Sequence, residues 1–383
     1  MPGRVFLQQL YPESDKSAQK PSNVDIVLIH GVNGDPVKTW ECKNEAKDED
    51  KNLGDTVLWP QHFLPRRFPG ARVLTYGYNG DMYHNDSISG IRDLAKSLLS
   101  CIDIKRQDVD PRRPIIFIAH CLGGLIVKQA LHTAHYERDY NYIADRTAGI
   151  FFFGTPHVAA AKDKWDHVAK AYSALDKPTG WLKRSRLVKA LQKDSDELMD
   201  MMDKFRHMLT VKDQSGNPIS QRWAIGNFYE TLKMPGAKAV IVDATAAQLD
   251  ALDGEIQRQV DADHVGMCRF STVDSQTFQE LCLQIKELVP KEAAHPSTQV
   301  IPRERPAPGV NVEFETMDNS GRTLRINGRF TPLTVTRGSE SVSEENVRQG
   351  YYLEDQRPSP RALIEGSETT RLPMTAASSA VRA

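Results

Sequence analysis

Short runs of continuous apolar residues alternate along this chain with longer stretches in which apolar residues recur every three or four positions. Val24 to Ile29 is apolar except at Asp25, as expected of a strand buried on both faces of a sheet. Ala71 to Tyr78, Pro114 to Ala119, Ala148 to Phe153, Gln221 to Tyr229 and Ala237 to Val242 read as further strands. Ser87 to Ile102 carries Ile88, Ile91, Leu94, Leu98 and Leu99 near helical spacing, and Thr277 to Leu288 fits a closing helix. Strands alternating with helices predict a mostly parallel sheet wrapped on both faces. Residues 158–215 read as helical, a cap inserted after the fourth strand. Their stripe of Leu187, Leu191, Leu198, Met202, Phe205 and Leu209 reads as core packing ahead of a lipid-binding lid.

The same pattern sets the boundaries. Residues 1–22 read as a loose polar arm, 23–290 as one α/β domain, and Glu41 to Asn52 as a solvated insertion within it. Beyond Leu288, Pro290, Pro296, Pro302, Pro306 and Pro308 mark a linker. Val310 to Val335 alternates weakly, and Asn327-Gly328 is a hairpin signal. The rest of 291–383 is rich in Ser, Glu, Arg and Thr and reads as a largely disordered tail, suited to holding a protein partner. The sequence has no internal repeat.

Composition narrows the class. The chain has 383 residues with a formal net charge of −1, so no global field points to nucleic acid. No apolar run approaches the length of a membrane span, and the N-terminus lacks a signal-peptide core. Five cysteines are widely spaced, none at CxxC spacing. That argues against zinc and against a disulfide framework, and for a reducing, cytoplasmic setting. No cofactor or metal is implied. Lys183, Arg184, Arg186 and Lys189 read as a solvated face, with peripheral contact to anionic head groups as the weaker reading.

The chemistry centres on Ala119-His120-Cys121-Leu122-Gly123. An apolar run precedes it and a helical run follows. Strand, tight turn, helix is the context of the nucleophile elbow, normally G-x-S-x-G. Here cysteine stands at the serine position and alanine at the first glycine. The turn is sharp, so positions two residues either side of the nucleophile must be small, and Ala119 and Gly123 are. A helix starting at the nucleophile places backbone N–H groups where negative charge develops. Taken alone, the pentapeptide equally describes a buried cysteine at a strand end.

An acyl-transfer site also needs a base, an acid that orients it, and oxyanion donors. In this fold class they follow the order nucleophile, acid, histidine. His264, in Asp261-Ala262-Asp263-His264-Val265-Gly266, lies in the loop before the closing helix and is the candidate base. Glu230 ends the fifth strand and is the preferred acid, with Asp243 the competitor. The N–H of Leu122 and that of Val32 or its neighbour are the candidate oxyanion donors. The loop His30-Gly31-Val32-Asn33-Gly34 would bring backbone close to a ligand. His30, Gly31, His120 and His157 are candidate substrate contacts; for His157 a structural hydrogen bond is the alternative.

Five blocks carry a resemblance: Val27–Pro36 with Thr39-Trp40, Thr75–Tyr78, His120–Lys128, Phe152–His157 and Asp263–Phe270. In this order they resemble the serine-active-site-containing, lipase-like α/β-hydrolases, and in particular the N-terminal hydrolase domains of fungal NLR-type proteins. The resemblance covers about residues 20–290. It implies a hydrolase of esters or lipids with Cys121, Glu230 and His264 at the triad positions. It also implies a second role, that of a signalling or binding effector in fungal non-self recognition. No P-loop motif follows the hydrolase region.

Overall fold

The computed structural model describes residues 5–12, 22–31, 34–45, 54–78, 89–157, 195–212, 216–249 and 255–290, together with the backbone of four strands beyond residue 309. The chain divides into two compact units, residues 1–298 and 299–383.

The first unit is built on a seven-stranded sheet. Its strands are β1 (Phe6–Tyr11), β2 (Val24–Ile29), β5 (Ala71–Gly77), β6 (Ile115–His120), β7 (Thr147–Phe153), β8 (Ala224–Glu230) and β9 (Ile256–Val260), in spatial order β1-β5-β2-β6-β7-β8-β9. All pairings are parallel except β1 with β5. β3 (Glu41–Lys43) and β4 (Thr56–Leu58) form a separate antiparallel ribbon. The strand order, with the elbow at the end of β6, is that of an α/β-hydrolase.

Each central strand feeds two cores because alternate side chains point to opposite faces. Val27 and Ile29 of β2 join one apolar cluster, and Val24, Ile26 and Leu28 the other. The first cluster is closed by α3 (Ser89–Lys105), α4 (Gly123–Tyr136), α5 (Asn141–Arg146) and α6 (Ser195–Thr210). The second is closed by α1 (Trp59–His62), α2 (Leu64–Arg67) and α7 (Gln276–Leu288). In α3 the residues that bury are Ile91, Ala95, Leu98, Leu99 and Ile102, a single helical stripe. Leu198, Met202, Phe205 and Leu209 of α6 are buried in the first core, so this part of the cap stripe is packing. Leu187, Leu191 and the basic residues from Lys183 to Lys189 lie outside the described residues.

Four expectations are corrected. Residues 6–11 are not part of a loose arm but an edge strand, with Leu7 and Leu10 buried. Their polar neighbours hide the strand, because an edge strand pairs on one side and needs few apolar positions. The insertion after Glu41 begins as a strand, and Cys42 Sγ donates to Phe270 O at 2.9 Å. Ala237 to Val242 is not a strand, because the Ile241 and Val242 N–H groups go to the Glu230 carboxylate instead of a ladder. The last strand is β9, whose Arg258 and Gln259 are exposed.

The second unit contains β10 (Val310–Met317) and β11 (Thr323–Pro332), paired antiparallel with Met317 opposite Thr323. A hairpin is present, but Asn327-Gly328 sits inside its second strand, facing Glu313 and Val312. Short strands Tyr351–Leu353 and Thr370–Arg371 complete this sheet.

Candidate active site

Cys121 is the one non-glycine residue with a positive φ among the described residues, at 58°. An L-residue there costs about 1–2 kcal/mol, and the surroundings hold it in place. Its N–H donates to Phe153 O at 2.8 Å, and its carbonyl accepts from Thr155 Oγ1 at 2.8 Å. The chain therefore turns out of β6 while still tied to β7, and enters α4 two residues later. The small residues expected around the turn have a measurable reason. A Cβ on Gly123 would lie 2.3 Å from His30 O, and one on Gly31 would lie 2.4 Å from Cys121 Cβ and 2.9 Å from its Sγ. The loop after β2 thus seats directly on the elbow.

His264 follows β9 and is fully buried. Its Nδ1 lies 3.1 Å from Glu230 Oε1. That same oxygen accepts from the N–H groups of Ile241 and Val242, at 2.8 and 2.7 Å. Glu230 is placed by the C-terminal end of β8, the edge of an open α/β sheet where sites form. Burial disfavours the charge of both groups. For His264, the Glu230 carboxylate and the Cys121 side chain, by charge and by hydrogen bonding, outweigh burial and raise its pKa to about 10. For Glu230, burial is likewise outweighed by His264 and the Val242 N–H, which hold its pKa below the ordinary carboxylate value. Glu230 and His264 are therefore one connected buried pair.

The competitor acid is placed elsewhere. Asp243 Oδ1 accepts from the Ala246 N–H at 2.8 Å and its carbonyl from the Ala247 N–H at 2.9 Å. It caps a turn and takes no part in holding His264. Leu122 caps the N-terminus of α4, where backbone N–H groups precede the helix's own ladder. Val32, the other candidate donor, lies outside the described residues.

The four candidate substrate contacts are each buried. His120 Nε2 lies 2.8 Å from His264 O, and the two rings are 5.0 Å apart. Burial and the neighbouring His264 push its pKa down to about 3. It is a neutral ring that ties the loop of His264 to the end of β6. His30 stacks on Tyr78, centroids 4.0 Å apart and planes within 8°, and its carbonyl accepts from Tyr78 Oη at 2.5 Å. Gly31 is spent on the close approach to Cys121. His157 sits edge-on to Phe152 at 4.8 Å, and its N–H donates to Ala246 O at 2.7 Å.

Three contributors carried no role in the sequence reading. Thr155 pins the elbow carbonyl, and Tyr78 pins the loop after β2. Both fall in the quoted blocks Thr75–Tyr78 and Phe152–His157, which are their only sequence signal. Lys128, on α4, is fully buried. Its Nζ donates to Pro156 O and lies 3.2 Å from Met202 Sδ, over the rings of Phe152 and Phe205. Burial pushes its pKa well below that of an ordinary lysine. A charged residue in an apolar stripe gives no hint that it points inward.

No family model matches the chain. Among curated proteins it is similar to Protein SERAC1 of Danio rerio, 29% identical over 262 residues, covering 65% of this chain and 37% of that protein. It is 26% identical to Protein SERAC1 of Bos taurus and 25% identical to that of Homo sapiens, each over 74% of this chain and 41% of the relative. The chain thus spans about two fifths of the length of the curated relatives it matches. Among solved structures, a carboxylesterase of Nitrososphaera gargenis aligns with a TM-score of 0.40 at 10% identity, over 74% of this chain and 94% of that one. The type II thioesterase of the yersiniabactin pathway aligns with a TM-score of 0.40 at 10% identity, over 74% and 98%. No helix among the described residues is long and apolar enough to cross a membrane.

Proposed function

We propose that this protein is an acyl hydrolase of the α/β-hydrolase type that works through Cys121, His264 and Glu230. The observation that carries the reading is the buried Glu230–His264 contact at 3.1 Å, with the Cys121 side chain also acting on the same imidazole. Sulfur of Cys121 attacks the acyl carbon. His264 manages the proton between sulfur, leaving group and water. Glu230 holds the ring through Nδ1 and stabilises the imidazolium, as the acid of such triads does. The Leu122 N–H, with one from the loop after β2, binds the oxyanion. His120, through the His264 carbonyl, keeps the base in line. The substrates in view are carboxylic esters, thioesters and lipids.

The test is hydrolysis of p-nitrophenyl butyrate by the purified full chain, with mass spectrometry of the acylated protein. Activity with an acyl group on Cys121 supports the reading. A folded protein that neither turns over nor acylates would overturn it and favour a signalling or binding module.

A further inference from the structure

One short segment, Gly154 to His157 directly after β7, touches both Cys121 and His264. Gly154 lies against the imidazole: a Cβ there would sit 2.7 Å from His264 Cε1 and 2.9 Å from its Nδ1. Thr155 Oγ1 donates to the Cys121 carbonyl at 2.8 Å. Where this segment lies therefore helps to set Cys121 and His264 relative to each other. Acyl transfer is sensitive to such placement, since a shift of about 1 Å can cost roughly a hundredfold in rate.

Each residue of the segment has its own anchor. The Gly154 N–H donates to Phe228 O at 2.8 Å, and the His157 N–H to Ala246 O at 2.7 Å. Proline has no N–H, so Pro156 can be hydrogen-bonded only through its carbonyl. Lys128 Nζ donates to that carbonyl at 3.2 Å. Lys128 lies one turn beyond Gly124 on α4, the helix that leads from the elbow. A Cβ on Gly124 would lie 2.3 Å from Thr155 Oγ1, so the same face of α4 meets the segment at two successive turns.

The lysine is an expensive way to hold a carbonyl. It is fully buried, with Met202 Sδ at 3.2 Å as its other polar contact among the described residues, and the rings of Phe152 and Phe205 beside it. Burial, with Arg206 nearby, pushes its pKa well below that of an ordinary lysine, and the attraction of Glu255 does not compensate. A methionine would occupy the same apolar surroundings without burying an amine. Packing alone therefore does not account for a lysine here.

We propose that Lys128 is a positioning residue for acyl transfer: through the Pro156 carbonyl it holds the Gly154–His157 segment, and with it the Cys121 carbonyl and the His264 ring, in register. The proposal rests on the hydrolase reading above.

The experiment places Lys128→Met in the full chain and follows hydrolysis of p-nitrophenyl butyrate. Circular dichroism and Tm report the fold. In the folded variant kcat should fall by roughly tenfold or more. KM should stay within about twofold, because the chemical step is disturbed and binding is not. Thr155→Val releases the segment from Cys121 directly. If Lys128 acts through the segment, the double variant should be little slower than the slower single one. Should Lys128→Met fail to fold, Lys128→Gln, with an N–H donor on a shorter arm, takes its place with the same expectations. A folded variant with the wild-type kcat, or losses that add in the double variant, would overturn the proposal while the hydrolase reading stands. A wild type that neither turns over nor acylates would overturn that reading, and the alkylation rate of Cys121 by iodoacetamide then decides the placement. A severalfold change in Lys128→Met would keep Lys128 as the support of Cys121 and His264, and an unchanged rate would overturn that as well.

Discussion

His264 Nδ1 lies 3.1 Å from Glu230 Oε1, and neither side chain retains any exposed surface. A carboxylate that already accepts two backbone N–H groups on the same oxygen cannot rotate away, so it fixes both the position and the tautomer of the imidazole. Glu230→Gln keeps the shape and removes the charge. It should lower kcat on p-nitrophenyl butyrate by at least about a hundredfold, while Asp243→Asn, which only loosens a turn, should stay within about threefold. Cys121→Ala and His264→Ala should each abolish turnover, with the double variant little worse than either, because such groups act as a unit. Steady-state kinetics of the four single variants checks this, and equal losses in Glu230→Gln and Asp243→Asn would refute the assignment of the acid.

The raised pKa of His264 makes a stability prediction. The folded value, about 10, exceeds the ordinary 6.5, so folding binds a proton more tightly than the unfolded chain does. That stabilisation is complete below pH 6.5 and is lost as pH rises through 10. Urea denaturation should show the wild type losing stability between pH 7 and 10.5. In Glu230→Gln, which lacks the main partner, the loss over that window should be smaller. Parallel curves for the two proteins would mean that the pair does not carry the shift.

Alkylation should single out Cys121. Burial raises the pKa of Cys42 to about 11 and of Cys268 and Cys282 to about 12, and also raises that of Cys101. Those four thiols therefore hold little thiolate at neutral pH. Iodoacetamide at limiting concentration, followed by peptide mapping, should modify Cys121 first. Faster labelling of Cys268 in the folded protein would count against the elbow as the reactive centre.

At the other end of the same sheet, Asp25 is a structural charge. Its carboxylate meets the guanidiniums of Arg72 at 2.8 Å, of Arg113 at 3.2 Å, and of Arg106, which is itself buried. Burial opposes ionisation of Asp25, but Arg72, Arg106 and Arg113 outweigh it and hold the pKa below 3.8. Asp25→Asn would leave three cations without their counter-ion, at a cost of about 3–5 kcal/mol. Chemical denaturation at pH 7 measures it, and a loss below about 1 kcal/mol would show that the arginines find other partners. By the same linkage, the stabilisation from Asp25 is present above pH 3.8 and lost as pH falls through its folded value.

Much of this arrangement is legible along the chain, for identifiable reasons. Val24–Ile29 is visible as a strand because it is buried on both faces, which leaves Asp25 as the one polar position in the run. The elbow is visible because a positive φ at Cys121 and the approach of His30 to Gly123 demand small residues at fixed offsets. β1 and β9 escape notice because edge strands are held by backbone bonds to one neighbour, which no side-chain pattern reports. Ala237–Val242 misleads for the converse reason: it is apolar because it is buried, yet its N–H groups serve Glu230.

The sequence by itself determined the parallel α/β architecture, which follows from local periodicity, and it named Cys121, Glu230 and His264 as candidates because they lie near strand ends in the order expected of that fold class. Only the tertiary structure set the Glu230 carboxylate against His264 and left Asp243 capping a turn, joined His120 to the His264 carbonyl, and buried Lys128 in an apolar core. Those outcomes depend on which strand ends become neighbours in the sheet and on where each buried polar atom finds a partner. Such pairings join residues far beyond one element, from 34 positions apart for Glu230 and His264 to 144 for His120 and His264, and no local pattern encodes them.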